Sequence, residues 1–132
     1  MYVTATLMDS LWIYDLRSNE ARAIPLSFAG YVVPKITEAD QRDPELIMNW
    51  SKRYHTAVFP LVTRDLIVVP FVKGVLNYGD PLTLVVIDRA TGRRYAVEGA
   101  PPVSAVRGDE LVTIANPLQD PLRLSVFRFR GR

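Results

Sequence analysis

Two segments dominate the hydrophobic pattern of this chain. Leu66-Ile67-Val68-Val69-Pro70-Phe71-Val72 and Leu82-Thr83-Leu84-Val85-Val86-Ile87 are almost continuously apolar, of strand length, and separated by Gly74-Val75-Leu76-Asn77-Tyr78-Gly79. Short aliphatic and β-branched runs bounded by turn formers are the pattern of strands covered on both faces. They are predicted to be adjacent antiparallel strands of one sheet. A helical period appears in one place only. Asp43 is placed to cap, Pro44 to take the first helical position and Glu45 the first turn. Leu46, Ile47, Trp50 and Tyr54 then recur at helical spacing as one apolar face, expected to lie across one end or face of the sheets. Pro34 and the polar run Thr37-Glu38-Ala39-Asp40 predict loop before this helix.

The remaining pattern repeats. Asp80-Pro81-Leu82-Thr83-Leu84-Val85-Val86-Ile87 returns about 40 residues later as Asp120-Pro121-Leu122-Arg123-Leu124-Ser125-Val126-Phe127. Upstream of each copy stands strand, polar turn, strand: Val62-Thr63-Arg64-Asp65-Leu66-Ile67-Val68 and Val106-Arg107-Gly108-Asp109-Glu110-Leu111-Val112. A third copy matches Leu11-Trp12-Ile13-Tyr14-Asp15 to Leu84-Val85-Val86-Ile87-Asp88, each followed by a turn and another short strand. A period of this length made of four short strands is the signature of a β-propeller blade. The expected fold class is therefore all-β, with two and a half to three antiparallel blade-like units and one inserted helix. Residues 1–26 make an incomplete blade with strands near 2–7, 11–16 and 21–26. Residues 27–56 are the helical insertion. Residues 57–100 make a blade with strands near 57–63, 66–73, 82–88 and 93–98. Residues 101–132 make a second incomplete blade, with strands near 103–107, 110–115 and 122–130.

Several of these stretches also carry a family resemblance. Ser10-Leu11-Trp12-Ile13-Tyr14-Asp15-Leu16-Arg17 and Leu84-Val85-Val86-Ile87-Asp88-Arg89-Ala90-Thr91-Gly92 resemble the third strand and following turn in bacterial six-bladed β-propellers of the NHL or TolB-like kind. The final stretch from Val106 through Arg130 is similar to the end of such chains, and the Trp-containing helical insertion before the penultimate blade also resembles them. The resemblance implies the C-terminal part of a propeller, used as a binding scaffold and often working outside the cytoplasm.

Composition narrows the function classes. The 132 residues suffice for one domain, 48% are apolar and 23% charged, and the net charge is only +2. That balance offers no basic tract for nucleic acid or an anionic membrane. There is no cysteine, which excludes disulfides and thiolate metal sites. The start at Met1-Tyr2-Val3-Thr4 shows no signal-peptide pattern, and no apolar stretch is long enough to insert in a membrane as a helix. The compartment stays open.

Candidate chemistry is sparse. His55 is the only histidine; Ser51 stands four residues before it, but no Gly-x-Ser-x-Gly elbow accompanies the pair. Glu38, Asp40, Asp43 and Glu45 lack the spacing of a calcium loop, and Asp43 and Glu45 suit a helix N-terminus. Asp15, Asp65, Asp80, Asp88, Asp109 and Asp120 fall at strand ends, where Asp bonds to nearby backbone N–H groups. Arg128, Arg130 and Arg132 alternate with Phe127 and Phe129, which predicts a solvated Arg face and a buried Phe face. Trp12 and Tyr14 share one strand face opposite Leu11 and Ile13, and both faces are expected to be covered. The insertion is not demanded by the repeat, so Trp50, Tyr54 and His55 are the candidate binding residues.

The favoured reading is a non-enzymatic binding or interaction scaffold, without cofactor or metal. Its expected partner is a second copy in a homo-oligomer or the missing part of a longer propeller chain, and neither nucleic acid nor a membrane. The rival is a hydrolase with carboxylates at blade-loop ends.

Overall fold

The computed structural model of the chain describes residues 1–4, 9–74, 80–108, 110–114, 121 and 123–128. Its elements are β1 (Tyr2–Val3), β2 (Ser10–Asp15), β3 (Glu20–Pro25), α1 (Glu38–Arg42), α2 (Pro44–Arg53), β4 (His55–Ala57), β5 (Leu61–Val62), β6 (Leu66–Lys73), β7 (Leu82–Asp88), β8 (Arg94–Ala100), β9 (Ala105–Arg107), β10 (Glu110–Ile114) and β11 (Leu124–Arg128). The chain is mostly β, with its strands in antiparallel sheets. It forms two compact units: Met1–Pro60 with Phe71–Leu76, and Leu61–Pro70 with Asn77–Arg132. No helix among the described residues is long and apolar enough to cross a membrane.

In the first unit, β1, β2 and β3 form a sheet in that order. Leu11 on β2 is fully buried, with Ile24 as its cross-strand partner, whereas β3 is exposed over most of its length. Trp12 and Tyr14 do share a face, their rings stacked at 6.4 Å, but Tyr14 is 38% exposed. The expectation that both faces of this strand are covered is corrected at Tyr14: Leu11 is buried, Trp12 and Ile13 are half-buried, and Tyr14 meets solvent. The helix begins where its sequence says. Asp43 caps it by accepting from the Glu45 N–H at 2.8 Å, and Pro44 occupies the first turn. Only Trp50 of its apolar face is buried; Leu46 and Ile47 are 40% and 38% exposed. The approach expected as loop is a second helix, α1. Thr37 accepts from the Asp40 N–H, and the Asp40 carboxylate accepts from the Thr37 N–H, a capping box that starts helix one turn early.

The strand expected over 57–63 is two strands, β4 and β5, interrupted at Val58-Phe59-Pro60. Both pair with β6, Ala57 with Phe71 and Leu61 with Val68. The two registers differ by one residue, and the mismatch coincides with Pro60 and Pro70. A proline has no N–H for the ladder, so it is tolerated in a strand where pairing is already broken.

In the second unit, β5, β6, β7 and β8 run side by side, which makes β6 and β7 the predicted sheet neighbours. Leu82 through Ile87 are all buried, as are Leu66 through Val69, the expected result for continuous apolar strands. The sheet of β9, β10 and β11 follows, with β9 lying against β5.

The repeat is visible in backbone geometry. Val62 pairs with Ile67 across the β5–β6 turn, and Val106 pairs with Leu111 across the β9–β10 turn, at matching positions of the repeat. The β2–β3 and β7–β8 turns match as well. Asp15 accepts from the N–H groups of Arg17 (2.8 Å) and Ser18 (3.4 Å), and Asp88 from those of Ala90 (2.9 Å) and Thr91 (2.8 Å). The same later position in each turn is left-handed, Asn19 at φ 56° and Gly92 at φ 70°. Asp65 is different: Thr63 Oγ1 accepts from the Asp65 and Leu66 N–H groups, so the threonine performs the expected aspartate role. Asp109 and Asp120 lie outside the described residues. Arg89 ties the turns of this unit together, donating to the carbonyls of Thr63 (2.7 Å) and Arg64 (2.8 Å).

Candidate functional site

The insertion brings Trp50, Tyr54 and His55 into two aromatic groups of the first unit. Trp50 is 5% exposed, donates its indole N–H to the Lys35 carbonyl at 2.5 Å, and packs on Tyr54 with ring centroids 5.4 Å apart. Arg53 caps the Tyr54 ring at 6.0 Å and pairs with Asp40 at 3.6 Å. Asp40 is held below the usual carboxylate range, first by the Thr37 hydroxyl, then by the Thr37 N–H and the Arg53 charge. His55 faces Phe28 edge-on at 5.3 Å; Phe28 and Tyr31 in turn pack against the buried Phe71 at 5.2 and 5.5 Å. Partial burial raises the Tyr31 hydroxyl above its ordinary value, and the Asp9 charge adds to this. The Ser51 hydroxyl donates to the Met48 carbonyl of its own helix at 2.7 Å. Trp50 thus spends its polar atom and most of its surface within the fold. His55 sits in a ring cluster.

The carboxylates before the helix have local duties too. Glu38 pairs with Arg42 one helical turn away at 3.3 Å, and Asp43 caps. Among the described residues, no group of three His, Asp or Glu side chains comes together as a metal site.

The second unit holds what the sequence pattern did not single out. Pairing of Leu111 with Phe127 and of Thr113 with Ser125 places these four residues on one face of β10–β11. Val112, Ile114, Leu124 and Val126 lie on the other. On the first face, Leu111 and Thr113 are buried. With Leu84 of β7, Val97 and Ala100 of β8, Val103 and Phe127, they line a cavity of about 300 Å³. A β-bulge in β8 shapes its wall: Leu84 pairs with Val97 but Leu82 with Ala100, one residue too many, and Gly99 takes up the left-handed turn at φ 68°. The Thr113 hydroxyl is buried with no hydrogen-bond partner among the described residues.

The other face is apolar and open. Leu124 is 66% and Val126 55% exposed, directly opposite Ile114 and Val112. At the sheet's end Glu110 accepts from Arg107 (2.8 Å) and from Arg128 (3.0 Å), which lowers its carboxyl below the ordinary range. Arg128 is solvated as its alternation predicts. Phe127 is 46% exposed, so its expected burial is corrected: it borders the cavity, where its far side meets solvent. Phe129, Arg130 and Arg132 lie outside the described residues.

Compared with family models, with curated proteins and with solved structures, the chain matches none.

Proposed function

We propose that this chain is a non-enzymatic interaction scaffold of the β-propeller blade kind, which docks through the outer face of β10–β11 onto another blade-like sheet. The partner sheet belongs to a second copy or to the remainder of a longer propeller chain of the NHL or TolB-like kind. The observation that carries this reading is the cross-strand patch of Val112, Ile114, Leu124 and Val126, apolar and half to two-thirds exposed at its two β11 members. Sheets bury such faces against other sheets, at roughly 25 cal/mol for each Å² removed from water. The blade reading is supported by the recurring turn geometry and by β9 lying against β5, since the first strands of successive blades are neighbours in a propeller.

Sedimentation velocity at rising concentration tests it. The wild-type chain is expected to associate in the micromolar range, and Leu124→Lys/Val126→Lys to stay monomeric with an unchanged circular dichroism melt. A wild-type chain that is folded and strictly monomeric at several hundred micromolar would overturn self-association through this face. Equal association of the double variant would move the interface elsewhere.

A further inference from the structure

The cavity on the opposite face of the same sheet asks for an occupant of its own. Its wall includes aliphatic and aromatic side chains: Leu84, Val97, Val103, Leu111 and Phe127. At about 300 Å³ it reaches the lower end of the range of small-molecule pockets. One buried polar group is out of keeping with that wall. Thr113 is 3% exposed, and its hydroxyl has no protein partner among the described residues. Leaving a buried hydroxyl unpaired is a penalty that valine at the same position avoids with the same shape. The bulge at Gly99 lies in the same wall, and a side chain there would meet nothing within 4 Å. Bulges placed this way commonly re-aim a strand beside a binding site.

We infer that this cavity binds a small uncharged molecule, one ring or a compact branched alkyl group in size, whose single polar group hydrogen-bonds to the Thr113 hydroxyl. The apolar wall supplies affinity, and Thr113 selects for the polar group. A charged ligand is disfavoured because the only ionic side chains on the lining among the described residues, Glu98 and Arg128, are exposed to water and Arg128 is paired with Glu110. The site does not depend on the docking face proposed above, which lies on the other side of β10–β11.

The test is a methyl-detected NMR titration of the full chain with phenol and, separately, toluene. Phenol is expected to shift the methyl resonances of Leu84, Val97, Val103 and Leu111 and to bind about tenfold more tightly than toluene, the worth of one hydrogen bond. Thr113→Val should bind both probes equally, and Thr113→Ser should restore the preference. Three results would overturn the inference. The first is no shift at these methyls up to millimolar phenol. The second is a phenol preference that survives in Thr113→Val. The third is a long-lived water with an Overhauser contact to Thr113 that neither probe displaces.

Discussion

Phe71 offers the sharpest test of how the first unit is held together. Its side chain is 1% exposed and stands edge-on to both Phe28 and Tyr31, at 5.2 and 5.5 Å. Truncation to alanine removes a fully buried ring, leaves a cavity and abolishes two aromatic pairs. Buried Phe→Ala changes cost about 3–5 kcal/mol, and each aromatic pair contributes about 0.5–1.5 kcal/mol within that loss. The upper half of the range is expected here, about 4 kcal/mol, a large share of the 5–15 kcal/mol typical of a whole domain. With a urea dependence of about 2 kcal/mol per M, the unfolding midpoint falls by roughly 2 M. Phe71→Leu keeps aliphatic contact while losing both ring pairs, and should fall between wild type and alanine. Phe59 is the internal control: it is 59% exposed, and Phe59→Ala should move the midpoint by no more than about 0.5 kcal/mol equivalent. Urea titrations followed by circular dichroism read all three. A loss below about 1 kcal/mol for Phe71→Ala, or an equal loss for Phe59→Ala, would refute the ring cluster as the core of this unit.

Three further outcomes follow from the same structure. Gly92 is left-handed at φ 70° with open space around it, so Gly92→Ala should cost about 1 kcal/mol from backbone strain alone, and Gly92→Asn less, because Asn19 already fills the matching position; equal losses in thermal melts would refute the shared turn geometry. Glu110 is held below its ordinary value by Arg107 and then Arg128, so its contribution is present above the unfolded carboxylate pKa and is lost as pH falls through the lower folded one; Glu110→Gln should therefore lower the urea midpoint near neutrality, converge with wild type in acid, and differ less in high salt, and a gap independent of pH would contradict this. Trp50→Phe should lose about 1–2 kcal/mol with its bond to the Lys35 carbonyl while leaving self-association unchanged, and a change in association without a loss of stability would support Trp50 as a binding residue.

What the sequence determined by itself is local in origin. The Asp43-Pro44-Glu45 start of α2, the turns after Asp15 and Asp88, and the strands β6 and β7 were all legible, because capping, turn hydrogen bonds and side-chain period depend on residues a few positions apart. The capping box of α1 was equally local, written in Thr37 and Asp40, and a reading for that signal finds it. Tertiary structure decided which side of each half-apolar segment is covered. Trp50 is buried while Leu46 and Ile47 on the same helix face are not, and Leu11 is buried while Tyr14 on the same strand is not. Among Trp50, Tyr54 and His55, nothing in residue type distinguishes a ring that packs from a ring that binds. The cavity was beyond reach for the same reason. It joins Leu84 to Leu111 and Thr113, residues far apart in the chain, and opens at a bulge that shifts the pairing of β8 by one residue. Burial is a property of what packs against a residue from elsewhere in the chain, and a local pattern records only that a residue is apolar enough to be covered.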